Sequence, residues 1–149
     1  MKKTISLILV LVLALGLLTG CSQKAPVNTS PDGVVIKMAS AQHTPNSHWV
    51  FTYEDGVAAD GARLTAEEML AQTEGTRVIP TPFTVENGGA LDNGIYSVYD
   101  LEGNEISYQR MVFNAPEEAG EYLCVVEMTF GNEKVYSGYQ IFFRFSVTE

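Results

Sequence analysis

An antiparallel all-β sandwich of about seven strands with one short helix is the fold this sequence predicts. Three observations predict it. Several apolar runs alternate with a period of two, turn residues recur about every ten positions, and only one segment carries a helix start signal.

The strongest strands are read from alternation. Val34, Ile36 and Met38 alternate with Val35, Lys37 and Ala39, and Trp49, Phe51 and Tyr53 alternate with Val50 and Thr52. Tyr122, Cys124, Val126 and Met128 alternate with Leu123, Val125 and Glu127. Tyr139, Ile141, Phe143, Phe145 and Val147 alternate with Gln140, Phe142, Arg144 and Ser146. Successive side chains of a strand point to opposite faces, so each set places one face in a core and the other outside. β-branched and aromatic residues, which suit a pleated half-buried surface, dominate these runs.

Weaker strands are expected over 77–79, 83–86, 95–100 and 105–113. The turn residues of Asp100-Leu101-Glu102-Gly103-Asn104 join the last two as a hairpin, and Gly131-Asn132-Glu133 marks another turn. Thr65-Ala66-Glu67-Glu68 has the capping-box spacing, which predicts a helix of two turns from Thr65 to Gln72.

The stretch Ala115-Pro116-Glu117-Glu118-Ala119-Gly120-Glu121-Tyr122-Leu123-Cys124 resembles the loop entering strand F of immunoglobulin-like domains. The resemblance implies a tyrosine corner, in which the Tyr122 hydroxyl turns back to bond an upstream backbone group. Cys124 falls where antibody domains place the second cysteine of their inter-sheet bridge. No early strand here supplies a partner, so Cys124 is expected to be a buried free thiol. A looser likeness spans most of residues 33–148. His48-Trp49-Val50-Phe51, Ala59-Asp60-Gly61 and the closing strand Tyr139 to Val147 resemble the small immunoglobulin-like lipoproteins of Gram-positive bacteria. That likeness implies a fold and a location, and no ligand.

The first residues bear on location directly. Lys2 and Lys3 precede an apolar run of 14 residues, Ile5 to Leu18. That is shorter than the roughly 20 residues of a spanning helix and has the form of a signal peptide. Leu18-Thr19-Gly20-Cys21 resembles the lipobox of bacterial lipoproteins, which implies cleavage before Cys21 and a diacylglyceryl group on its thiol. The expected organisation is a signal peptide over residues 1–20, a lipidated Cys21 and polar tether through residue 32, and an immunoglobulin-like domain over 33–149. The predicted partner of Cys21 is the membrane, and the expected location is its extracytoplasmic face. After cleavage, seven basic residues face 18 acidic ones, so the net charge is 7 − 18 = −11. An acidic surface is repelled by phosphates, which argues against nucleic acid as a partner.

No zinc-protease histidine pair, nucleophile elbow, phosphate loop or dinucleotide fingerprint is present, so an enzyme is not expected and no cofactor is predicted. The metal candidates are His43 and His48, five residues apart, and Asp55 and Asp60 in an acidic, glycine-containing segment that continues to Glu67 and Glu68. Phe142 is the candidate for a partner-binding face, because alternation turns it away from Ile141 and Phe143. The expected function is a lipid-anchored, non-catalytic binding domain that engages a protein or other envelope component. A metal- or solute-binding lipoprotein is the alternative, and a hydrolase comes after both.

Overall fold

The computed structural model describes residues 26–148. The leader and Cys21 lie outside the described residues, and nothing structural attaches to the readings made on them.

Two sheets pack face to face. The smaller has the order β2-β1-β6, from β1 (Val34–Met38), β2 (Ala41–His43) and β6 (Thr84–Asn87). The larger has the order β4-β3-β10-β9-β7-β8. Its strands are β3 (Asn46–Glu54), β4 (Val57–Asp60), β7 (Ile95–Tyr99), β8 (Glu105–Arg110), β9 (Gly120–Gly131) and β10 (Val135–Val147). A two-residue strand, β5 (Ile79–Pro80), adds to β10 in parallel; the other pairings are antiparallel. The architecture is the all-β sandwich expected from alternation. The described residues hold ten strands where about seven were anticipated; β2 and β4 are too short to show a period, and the strand expected over 77–79 appears as the two-residue β5.

The spine is the β9–β10 hairpin, 12 and 13 residues long, paired in register from Gly120↔Val147 to Gly131↔Tyr136. Its inward side chains, Tyr122, Cys124, Val126, Met128, Ile141, Phe143 and Phe145, meet Val34 and Ile36 of the small sheet and Val98 of β7. The tyrosine corner forms: the Tyr122 hydroxyl donates to the Glu118 carbonyl at 3.0 Å while its ring stacks on Phe145. At Gly138 the β3–β10 register slips by one residue, and the Phe51 ring occupies the space a Cβ would need.

The opposite face of the large sheet carries a second core. The helix α1 (Ala66–Gln72) starts with Thr65 accepting from the Glu68 N–H while the Glu68 carboxylate accepts from the Thr65 N–H, the capping box the sequence predicts. Its buried Met69 packs on Leu123, Val125 and Phe142. The expectation that Phe142 is exposed is therefore corrected. Alternation did turn it away from Ile141 and Phe143, but α1 covers that face and Phe142 is 0% exposed. The continuous apolar runs Tyr122 to Val126 and Ile141 to Phe143 are what strands buried on both faces look like.

Candidate functional site

The residues singled out for metal do not converge. His43 lies on β2 in the small sheet and His48 on β3 in the large one. The His48 Nε2 is 2.8 Å from the Ala62 carbonyl oxygen, so that ring already has a backbone partner. His43 has its pKa lowered, first by burial and then by the charge of Arg77, which favours the neutral ring. Asp55 sits in the β3–β4 turn with φ 46°, and Asp60 ends β4 at its far end. Glu68 is committed to the capping box, and its hydrogen bonds from the backbone and side chain of Thr65 hold its pKa below the usual carboxylate range. Among the described residues no three His, Cys, Asp or Glu side chains gather as a metal site would require.

Cys124 is on the inward face of β9, fully buried, and burial pushes its thiol well above the ordinary range. A nucleophilic cysteine needs a stabilised, reachable thiolate. Cys124 has neither property.

The surface that stands out is at one edge of the large sheet. A terminal strand presents a row of unpaired N–H and C=O groups, and natural sheets blunt such edges with lysine, proline, bulges or short length. The two edges here differ. β4 is four residues long, and Glu54, Asp55 and Asp60 flank or end it. β8 is six residues long, Glu-Ile-Ser-Tyr-Gln-Arg, with no proline or lysine; a bulge at Ile106, between the Val98–Ser107 and Tyr99–Glu105 pairings, is its one interruption.

The side chains of β8 are inverted relative to an ordinary half-buried strand. Ser107 pairs with Val98 and Gln109 with Tyr96, both core residues, so the polar side chains face the sandwich interior. Gln109 is held there by bonds with the N–H and carbonyl of Asn114. Tyr108 pairs with Ser97 on the other face, clear of α1, and is 55% exposed. Ile106, Met111 and Val112 are exposed as well. Extended structure was expected to run on to Phe113, but Met111 adopts φ 68° and stops the strand at Arg110. A methionine held in the left-handed region carries a local strain that its surroundings must support.

Two adjoining clefts of about 580 and 490 Å³ open beside this strand end and share Asn87, Asn93 and Met111. The larger is lined by Leu91, Ile95 and Met111 on its apolar part and by Asp92 and Arg110 as its charged residues. The edge and clefts together form a surface of exposed apolar side chains among amides, with Glu86, Asp92, Glu105 and Arg110 around it. Such a surface suits binding by contact and main-chain hydrogen bonding.

Sequence reasoning missed this site. Tyr108 lies within the strand expected over 105–113, where nothing marks it as an edge residue; Trp49, in the alternating set of β3, lies 37% exposed over Gly61 with its indole N–H donating to Thr52. The available signal was the phase of β8: Ser107 and Gln109 alternate with Ile106 and Tyr108, and the polar pair is the one facing inward.

The fold defines a class, an all-β sandwich with one short helix laid on its larger sheet. Compared with protein-family models, curated proteins and solved structures, the chain matches none of them.

Proposed function

We propose that this chain is a lipid-anchored surface protein whose sandwich domain is a non-catalytic interaction module, using edge β8 and the adjoining clefts to engage a protein partner. The observation that carries the reading is the cluster of exposed apolar residues at this edge: Ile106 and Tyr108 on terminal strand β8, and Met111 and Val112 just beyond its end. Clustered exposed apolar residues of this kind mark interaction sites on soluble domains. Strand addition at such an edge draws affinity from main-chain bonds and specificity from alternate side chains.

Anchoring is supported by the leader and by Leu18-Thr19-Gly20-Cys21, whose thioether-linked lipid would hold the domain at the membrane through a short polar tether. The acidic domain offers no polybasic segment to share that task.

The test uses the full chain in membranes with a photo-reactive residue at position 108 or, as a control, at position 58 on β4. Covalent adducts are expected from position 108 and not from 58. Equal yields from both positions, or none from 108, would defeat the reading.

A further inference from the structure

We infer that the groove between α1 and the β7–β8 turn takes a basic peptide segment of a partner protein, one lysine or arginine side chain lying along its apolar strip; this surface is apart from edge β8, and neither reading needs the other.

The groove has a volume of about 370 Å³. Glu67, Leu70 and Glu74 line it from the helix side, Leu101 and Glu102 from the turn, and Arg144 of β10 completes the lining. The turn is stiff and close to the helix. The Asp100 carboxylate accepts from the N–H groups of Glu102 and Asn104, and a side chain on Gly103 would come within 3.8 Å of Ala66. The groove is therefore shaped before anything enters it, which lowers the entropic cost of binding.

Its chemistry is two-sided. Leu101 is 43% exposed and Leu70 half-buried, an apolar strip left in contact with water. Three exposed carboxylates, Glu67, Glu74 and Glu102, border that strip. The ion pairs of the described residues, Lys37–Glu86, Arg63–Glu127 and Arg144–Glu121, leave all three without a cation. The one base in the groove, Arg144, is already neutralised by Glu121 at 2.6 Å. The groove thus keeps an uncompensated negative charge, in a chain with 18 acidic residues against 9 basic ones.

Those features together select the occupant. A metal ion is too compact, because among the described residues no three acidic side chains come close enough to share one. A lysine or arginine side chain has the required form: its methylene stem covers an apolar strip while its charged head reaches the carboxylates beside it. Arg144 separates a peptide from a simple polycation. Only its Nη2 has a protein acceptor, and its Nε is buried without one. Guanidinium donors left unmatched suit a carbonyl oxygen, which the backbone of a basic peptide supplies and a polyamine does not. Each exposed ion pair contributes little and is screened by salt, so affinity comes from the charges and the strip acting together.

The test is made with the full chain in phosphatidylcholine nanodiscs, whose lipids carry no net charge, and with fluorescent pentalysine as the probe. Saturable binding that weakens as salt is raised is expected. Glu67→Gln, Glu74→Gln and Glu102→Gln together are expected to weaken it roughly fivefold or more. Glu54→Gln, Asp55→Asn and Asp60→Asn together remove the same charge from the β3–β4 hairpin and should leave affinity within about twofold. Leu101→Ser, which changes no charge, is expected to weaken binding, and spermine is expected to bind less tightly than pentalysine. No pentalysine binding, equal losses from the two charge-matched variants, no loss in Leu101→Ser, or spermine binding as tightly as pentalysine would each overturn the inference.

Discussion

The side-chain amide of Gln140 holds the main chain of Leu64 from both sides, accepting from its N–H at 2.8 Å and donating to its carbonyl at 3.0 Å. Gln140 is buried in β10, on the face where α1 lies, and Leu64 belongs to the strap that leads directly into that helix. One side chain thus does for the strap what a neighbouring strand would do. A seven-residue helix is far below the length that is stable alone, so its position depends on this clamp and on Met69.

Gln140→Leu keeps the volume and removes both bonds. Leaving the half-buried main-chain groups of Leu64 without partners is expected to cost about 1 kcal/mol, the low end for an unmade bond. The expected result is a lower urea midpoint, with faster amide exchange in 64–72 than in β9. An unchanged midpoint would mean that the strap is held by packing alone.

Phe142→Ala removes a ring enclosed by α1 and β9, and is expected to cost about 3–5 kcal/mol in equilibrium unfolding. Tyr108→Ser on the open edge is expected to stay within about 0.5 kcal/mol in the same measurement. The two aromatics lie on the same face of the same sheet, so the contrast measures what the helix covers.

Tyr122→Phe deletes the hydroxyl bonded to Glu118 and leaves the ring on Phe145. A loss of about 1 kcal/mol is expected, with little change in the near-ultraviolet spectrum of the core.

Burial of Cys124 raises its pKa in the folded state above the value it has when unfolded. The unfolded chain then releases the thiol proton first. The stability contribution is complete below about pH 8.5, the ordinary thiol value, and declines as pH rises toward the folded value. Between about pH 8.5 and 9.5, wild-type stability should fall, and Cys124→Ala should lose that part of the slope. Thiol reagents should label Cys124 only at the rate of unfolding.

The sheet spine was legible because runs of seven and nine residues rich in β-branched and aromatic side chains, Tyr122 to Met128 and Tyr139 to Val147, suit strands and nothing else. The helix was legible because Thr65 and Glu68 report on each other through local hydrogen bonds. Phe142 was misplaced for a different reason. Period two separates the faces of a strand but does not say whether something distant in sequence covers the second face, and here α1, some 70 residues upstream, does so. The β8 edge was hidden by the same limit: which strand ends a sheet is a property of topology, and Tyr108 looks like any other strand aromatic until β8 is seen to have one neighbour. Long-range placement decides the metal candidates too, since only four residues lie between His43 and His48 in the chain while the sandwich assigns them to different sheets.

Amide hydrogen exchange at Tyr108 and Arg110 tests the use of this edge most directly, because alternation from the Met111 N–H bond to the Gly94 carbonyl turns their N–H groups away from β7, where no partner meets them among the described residues. In the full chain at the membrane both should exchange slowly, and in the dilute soluble domain both should exchange at the rate of open loops. Rapid exchange in both settings, with β9 protected, would show that edge β8 stays in water and would contradict the account.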